Sequence, residues 1–226
     1  MQDIRDHKRV NDIFFGPLER PALRWLAEHL PVWATPDMLT AVGVFGAIVT
    51  VAGYIASNFS PWFLWLASFG YVINWFGDSL DGNLARHRHI EKPRYGFFID
   101  HTLDAVVEII IFIGLGLSPY VRFDLALLGC ITYLLMSVLV YIRTALVGEF
   151  QISYGKLGPT EIRAIAIGLN TLMFIFGPRT LTILPGLTSY VISPYDVILI
   201  GIILLLAWFI FSSWLKQAKE LAKLGE

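Results

Sequence analysis

Residues 38–77 read MLTAVGVFGAIVTVAGYIASNFSPWFLWLASFGYVINWFG and carry no charged side chain. A bilayer core about 30 Å thick is crossed by about 20 apolar residues of helix, so this run is long enough to cross twice. Asn58-Phe59-Ser60-Pro61 breaks it where a tight turn fits. Two membrane spans are expected, at about 37–57 and 61–84, and Thr35-Pro36-Asp37 makes a good start for the first.

The same criteria, applied outward, predict four more spans. They fall at about 95–117, 121–146 and 159–178, with the last running from near Ser193-Pro194 to about 215. Asp100, Asp104 and Glu108 interrupt the third. The expected fold is therefore all-α, a polytopic membrane protein of six transmembrane helices. Composition agrees. Only 15% of the 226 residues are charged, 56% are hydrophobic, and the mean hydropathy is +0.63. A soluble domain carries about 25% charged residues. With 17 Lys and Arg against 18 Asp and Glu, the net charge of −1 argues against a nucleic-acid partner. A single cysteine, Cys130, excludes a disulfide framework and a Cys-based zinc site, and reads as core packing. Residues 1–226 are read as one membrane-embedded domain, with 1–35 as a cytoplasmic or interfacial segment.

The polar first dozen residues predict no cleavable signal peptide. Residues 13–33 are amphipathic. Phe14, Leu18, Ala22, Trp25, Leu26 and Leu30 recur near helical spacing between Glu19, Arg20, Arg24 and Glu28, with Leu23 off that face. This predicts an N-terminal amphipathic helix lying in the membrane interface. All of the 17 Lys and Arg except Arg122 and Arg179 flank the side that carries both termini and the 2–3 and 4–5 loops. The positive-inside rule makes that side cytoplasmic.

Carboxylates inside a membrane are costly and mark function. Asp78 and Asp81 lie three apart at the cytoplasmic end of the second span, and Asp100 and Asp104 four apart at the start of the third. Each pair shares a helix face, so two neighbouring helices would aim four carboxylates at one point. Such crowding at low dielectric calls for counter-charge, and a pair of divalent cations is the simplest supply. Oxygen-only ligands favour Mg²⁺, Mn²⁺ or Ca²⁺. Gly82 and Gly96 would let a ligand approach the backbone, Ala85 keeps the surface low, and Arg86 can clamp phosphate. A metal-bridged pyrophosphate with a carboxylate base is equipment for phosphoryl transfer.

Residues 78–104 read DSLDGNLARHRHIEKPRYGFFIDHTLD. This resembles the signature of the CDP-alcohol phosphotransferase (phosphatidyltransferase) family, D-x-x-D-G-x-x-A-R followed by G-x-x-x-D-x-x-x-D. All eight positions match: Asp78, Asp81, Gly82, Ala85, Arg86, Gly96, Asp100 and Asp104. Average residue usage puts a chance match on the order of 10⁻⁸ for a chain of this length. The resemblance implies a membrane enzyme, usually a homodimer, with a polar cavity open to the cytoplasm that takes a CDP-linked donor and an alcohol acceptor. Asp78, Asp81, Asp100 and Asp104 would ligate two metals, and Asp104 would also be the base. Asp78, Gly82, Ala85, Arg86 and Gly96 would line the cytidine and pyrophosphate. CMP would be released in phospholipid biosynthesis.

Other polar residues are weighed beside these. His101 follows Asp100 but points about 100° away on a helix, so a supporting role is expected. Glu108 continues the carboxylate face one turn deeper. Arg143, Lys156, Glu161 and Arg163 suggest an acceptor pocket, with Glu161 suited to a cationic head and Arg143 and Arg163 to an anionic one. A Glu161–Arg163 pair would leave neither available, and Thr160 and Glu161 also read as a helix start. The short chain favours CDP-diacylglycerol with a small polar alcohol. Phe98-Ile99-Asp100-His101 and Thr160-Glu161 look more like enzymes that transfer phosphocholine or phosphoethanolamine to diacylglycerol. A cation transporter is the reading from another class.

Overall fold

Thr35 caps a helix by accepting a hydrogen bond from the Met38 amide on its Oγ1 at 3.2 Å, with Pro36 in the first turn. That helix, α2 (Pro36–Ala56), packs along its length on α3 (Phe63–His87). The computed structural model describes residues 8–10, 14–147, 149–151, 158–183 and 190–223. The first residues and Lys156 lie outside them. The remaining helices are α1 (Gly16–His29), α4 (Pro93–Gly116), α5 (Phe123–Val147), α6 (Pro159–Phe176) and α7 (Pro194–Lys223). Sequence reading missed two short strand pairs. β1 (Lys8–Val10) pairs in parallel with β2 (Glu149–Gln151), and β3 (Leu181–Ile183) antiparallel with β4 (Tyr190–Ile192).

Each expected span falls on a helix, but the membrane criteria are met by four: α2, α5, α6 and α7 are long and apolar enough to cross. α3 and α4 have 25 and 24 residues and hold the acidic motif, and neither is among those four. α2 and α3 approach closely because small residues face each other. A Cβ on Gly46 would lie 2.8 Å from the Cα of Asn74, too close for real atoms. α4 packs on α2 and α5, α6 on α3, and α7 on α5.

The end of the bundle away from the acidic motif is tightly closed. Ser193 and Asp196 form a reciprocal cap on α7, with Asp196 Oδ2 accepting from the Ser193 amide at 2.7 Å and Ser193 Oγ accepting from the Asp196 amide at 3.0 Å. Asp196 Oδ1 also accepts from the Arg122 amide at 2.9 Å, which ties α7 to the α4–α5 connection. Tyr54, Tyr120, Tyr195 and Leu199 fill the core there.

α1 forms, and it packs on the bundle with the face opposite to the apolar stripe of Phe14, Leu18 and Trp25. It docks on α3 through Leu23 and Ala27, which cluster with Leu39, Leu80 and Leu84. Phe14, Leu18 and Trp25 stay exposed. The inner stripe is Glu19, Leu23 and Ala27, at i, i+4 and i+8. Glu19 can be buried because its Oε1 accepts from Trp75 Nε1 and Thr160 Oγ1, both at 2.7 Å. A carboxylate that looks outward in one dimension is thus an internal tie between three helices.

Candidate active site

α3 ends in a way that shapes the motif. Ile90 N donates to Ala85 O at 3.1 Å and His89 N to Arg86 O at 3.2 Å, with His89 in the left-handed region at φ 56°. This is the Schellman arrangement, here without its usual glycine. The next side chain back, Arg88, donates to the carbonyls of Leu30 (3.2 Å) and Pro31 (2.8 Å), and so fastens the α1–α2 connection to the end of α3. In the sequence Arg88 is one of the basic residues counted on the cytoplasmic side, with nothing to mark it as a tie between helices.

The four motif carboxylates take different partners. Asp78 Oδ2 accepts from Arg163 Nη2 at 2.6 Å. Asp81 Oδ2 accepts from Thr40 Oγ1 at 2.7 Å. Asp100 and Asp104 are joined instead by His101, whose Nδ1 lies 3.8 Å from the first and 3.9 Å from the second. Ligand atoms of these three residues all lie within 4.8 Å of one another. The imidazole of His101, expected from sequence to point away, thus lies beside both carboxylates. Phe97 and Tyr141 hold it there, with ring centroids 4.1 Å and 5.4 Å away. Two carboxylates and one imidazole suit a hard divalent cation such as Mn²⁺. One turn deeper, Glu108 Oε2 is buried and has no hydrogen-bond partner among the described residues. The donor set therefore fits a cation.

A cavity of about 1100 Å³ opens beside these groups. Asp78, Arg86, Asp100, His101, Asp104, Glu108 and Arg163 line it, together with Arg20 and Arg24 of α1. Along α4 the lining continues from Asp100 to Leu115, roughly 22 Å at 1.5 Å per residue, and becomes apolar through Val107, Ile111 and Phe112. One cavity thus joins a charged mouth to an apolar interior. Gly82, Ala85 and Gly96 are not among its lining residues. A Cβ on Gly82 would meet Arg86 Nη1 at 3.4 Å, and one on Gly96 nothing within 4 Å, so neither glycine serves helix packing.

The suggested acceptor cluster divides. Arg163 lines the cavity, while Arg143 and Glu161 do not. Glu161 Oε1 accepts from the Phe15 amide at 2.8 Å and Oε2 from the Gly158 amide at 2.9 Å. The Glu161–Arg163 pair considered from sequence is not formed, because backbone amides take the carboxylate and Asp78 takes the guanidinium. Sequence reading missed Thr40 and Asn74 as site partners. Each is a small polar residue in an apolar run, which was the available signal.

Comparison with known proteins agrees with the geometry. The family model described as CDP-alcohol phosphatidyltransferase matches residues 33–212. Cholinephosphotransferase 1 of Gallus gallus is 28% identical over 71% of this chain and 49% of its own length. The archaetidylinositol phosphate synthase of Pyrococcus horikoshii is 26% identical over 84% of this chain and 87% of its own. The CDP-diacylglycerol--serine O-phosphatidyltransferase of Encephalitozoon cuniculi is 29% identical over 79% and 48%. The chain thus spans about half the length of several curated relatives it matches. With the motif, the cavity that half of its eight positions line and a match over most of the sequence, this chain belongs to the CDP-alcohol phosphatidyltransferase family.

Proposed function

We propose that this chain transfers a substituted phosphate group from a CDP-linked alcohol to an acceptor hydroxyl, releasing CMP, in phospholipid synthesis. The observation that carries the reading is the single cavity with Asp78, Arg86, Asp100 and Asp104 at its charged mouth and an apolar lining behind. In this reading Asp78, Asp81, Asp100 and Asp104, with His101 beside them, would hold two divalent cations, Mg²⁺ or Mn²⁺. The cations would supply positive charge against the pyrophosphate. Asp104 takes the proton of the acceptor hydroxyl as that oxygen attacks the phosphorus on the alcohol side. The bond from that phosphorus to the bridging oxygen breaks, and CMP leaves with the electron pair. Arg86 holds the departing phosphate, and Gly82, Ala85 and Gly96 keep the surface bare for the nucleotide. Because Glu161 is committed to backbone amides while Arg163 lines the cavity, an anionic acceptor head on the Arg163 side fits better than a cationic one.

The donor we favour is CDP-diacylglycerol with a small polar alcohol. Support comes from the likeness to the CDP-diacylglycerol--serine O-phosphatidyltransferase, and from a chain length close to that of the archaetidylinositol phosphate synthase, 87% of which is covered. Phosphocholine or phosphoethanolamine transfer to diacylglycerol is the second reading, supported by the likeness to cholinephosphotransferase 1 and by His101 between Asp100 and Asp104. CMP release by purified protein in lipid separates them. Release from CDP-diacylglycerol with Mg²⁺ or Mn²⁺ is expected. Release from CDP-choline with diacylglycerol would replace the donor. No CMP from either donor would overturn the reading and move the cation-transport alternative ahead.

The same reading has α3 and α4 crossing the membrane too, six spans in all, within one domain that forms a homodimer. α1 lies in the interface, and the site and both termini face the cytoplasm. Asn58 Nδ2 donates to Leu117 O at 2.9 Å, which supports a shared end for the α2–α3 turn and the close of α4. A cysteine at Phe59, which is 86% exposed, should be labelled only from outside the cell. Labelling from the cytoplasm would overturn this topology.

A further inference from the structure

An asparagine and an arginine inside an apolar bundle are stable only when their polar atoms are satisfied. Asn74 and Arg163 satisfy each other in a particular order. Asn74 Nδ2 donates to Gly43 O of α2 at 2.9 Å, and Asn74 Oδ1 accepts from Arg163 Nε at 2.8 Å. Arg163 Nη2 then donates to Asp78 Oδ2 at 2.6 Å. The chain of bonds runs from the backbone of α2, through α3, to the guanidinium of α6, and returns to α3 one turn further on. Asn74 is 4% exposed.

We propose that Asn74 is a positioning residue of the carboxylate site, acting on Asp78 through Arg163. The proposal rests on the reading of Asp78 as a metal ligand. A guanidinium is planar, so fixing its Nε edge aims its Nη2 edge. Gly43 supplies a firm reference for that edge, since α2 and α3 are in backbone contact: a Cβ on Gly43 would lie 3.2 Å from the Asp78 amide. Asn74 and Asp78 are four apart on one face of α3, so a single guanidinium reaches both. Without Asn74 the guanidinium can rotate while still touching Asp78, and the carboxylate turns with it. Partners outside the ligand shell that orient a metal ligand typically govern 10–100-fold in metal affinity.

The test is a double-mutant cycle on Mn²⁺ affinity, read by electron paramagnetic resonance on the full chain in detergent. The four proteins are the parent, Asn74→Leu, Arg163→Gln and the double variant. Asn74→Leu should weaken Mn²⁺ binding about 10-fold or more. The double variant should bind no more weakly than Arg163→Gln alone, because the two side chains act in series. Multiplying losses would overturn the proposal, as would Asn74→Leu binding like the parent. A parent that takes up no Mn²⁺ would overturn the functional reading and this proposal with it, and so is distinct from those outcomes. Thermal melting without metal checks that each variant is folded. If Asn74→Leu is not, Asn74→Ala carries the test, since it removes both the donor to Gly43 O and the acceptor for Nε without adding bulk or charge. A loss of about 10-fold is again expected, and parent-like affinity would overturn the proposal.

Discussion

Asp196 and Asp104 are carboxylates at opposite ends of the same bundle, and they are used in opposite ways. Asp196 is 1% exposed, and both of its oxygens accept from backbone amides, those of Ser193 and Arg122. It is a cap, and its capacity is spent on the fold. Asp104 faces the cavity, with the imidazole of His101 beside it and Glu108 one turn deeper. Side chains, not backbone, surround it. A polar group given over to backbone amides is structural, whereas one placed among side chains at a cavity wall can still bind a ligand.

The largest expected effect tests the cavity end. Asp104→Asn removes the proposed base, and turnover should fall by about 10²–10⁴. The melting temperature should hold or rise, because one negative charge leaves a crowded acidic group. Near-normal turnover would remove Asp104 from that role and weaken the contrast with Asp196. At the closed end, Asp196→Ala should leave buried amides without an acceptor and destabilise the fold by about 1–3 kcal/mol. Melting would show the loss, while turnover per folded molecule should stay within about twofold. A large fall in turnover would mean that the two ends are coupled. The smallest effect concerns His89, which holds a left-handed conformation at the rim of the motif. His89→Gly should raise stability by up to about 1 kcal/mol, since glycine adopts that conformation freely but loses more freedom on folding. A fall in stability would show that the His89 ring contributes more than its backbone costs.

Much of this is legible in the sequence. Asn58-Phe59-Ser60-Pro61 marks the turn between α2 and α3, and Thr35 and Ser193 mark the starts of α2 and α7. These are local signals, carried by turn and cap chemistry within a few residues. The burial of Glu19 in α1 is not legible, because it depends on Trp75 and Thr160, which lie far away in the chain. α3 and α4 carry the motif charges, which length-and-composition criteria penalise, and neither is among the four helices that meet them.

The sequence by itself determined the helices, the acidic signature and the chemistry to which that signature is suited. Residue type and a spacing of three or four suffice to place groups on one helix face. Only the tertiary structure decided which partner each carboxylate takes: Thr40 for Asp81, Arg163 for Asp78, and His101 for Asp100 and Asp104. The first two partners lie 41 and 85 residues away in the chain. They meet because glycines let α2 and α3 touch and because α6 folds back on α3. Local spacing does not encode contacts of that range, which arise only once the helices have packed.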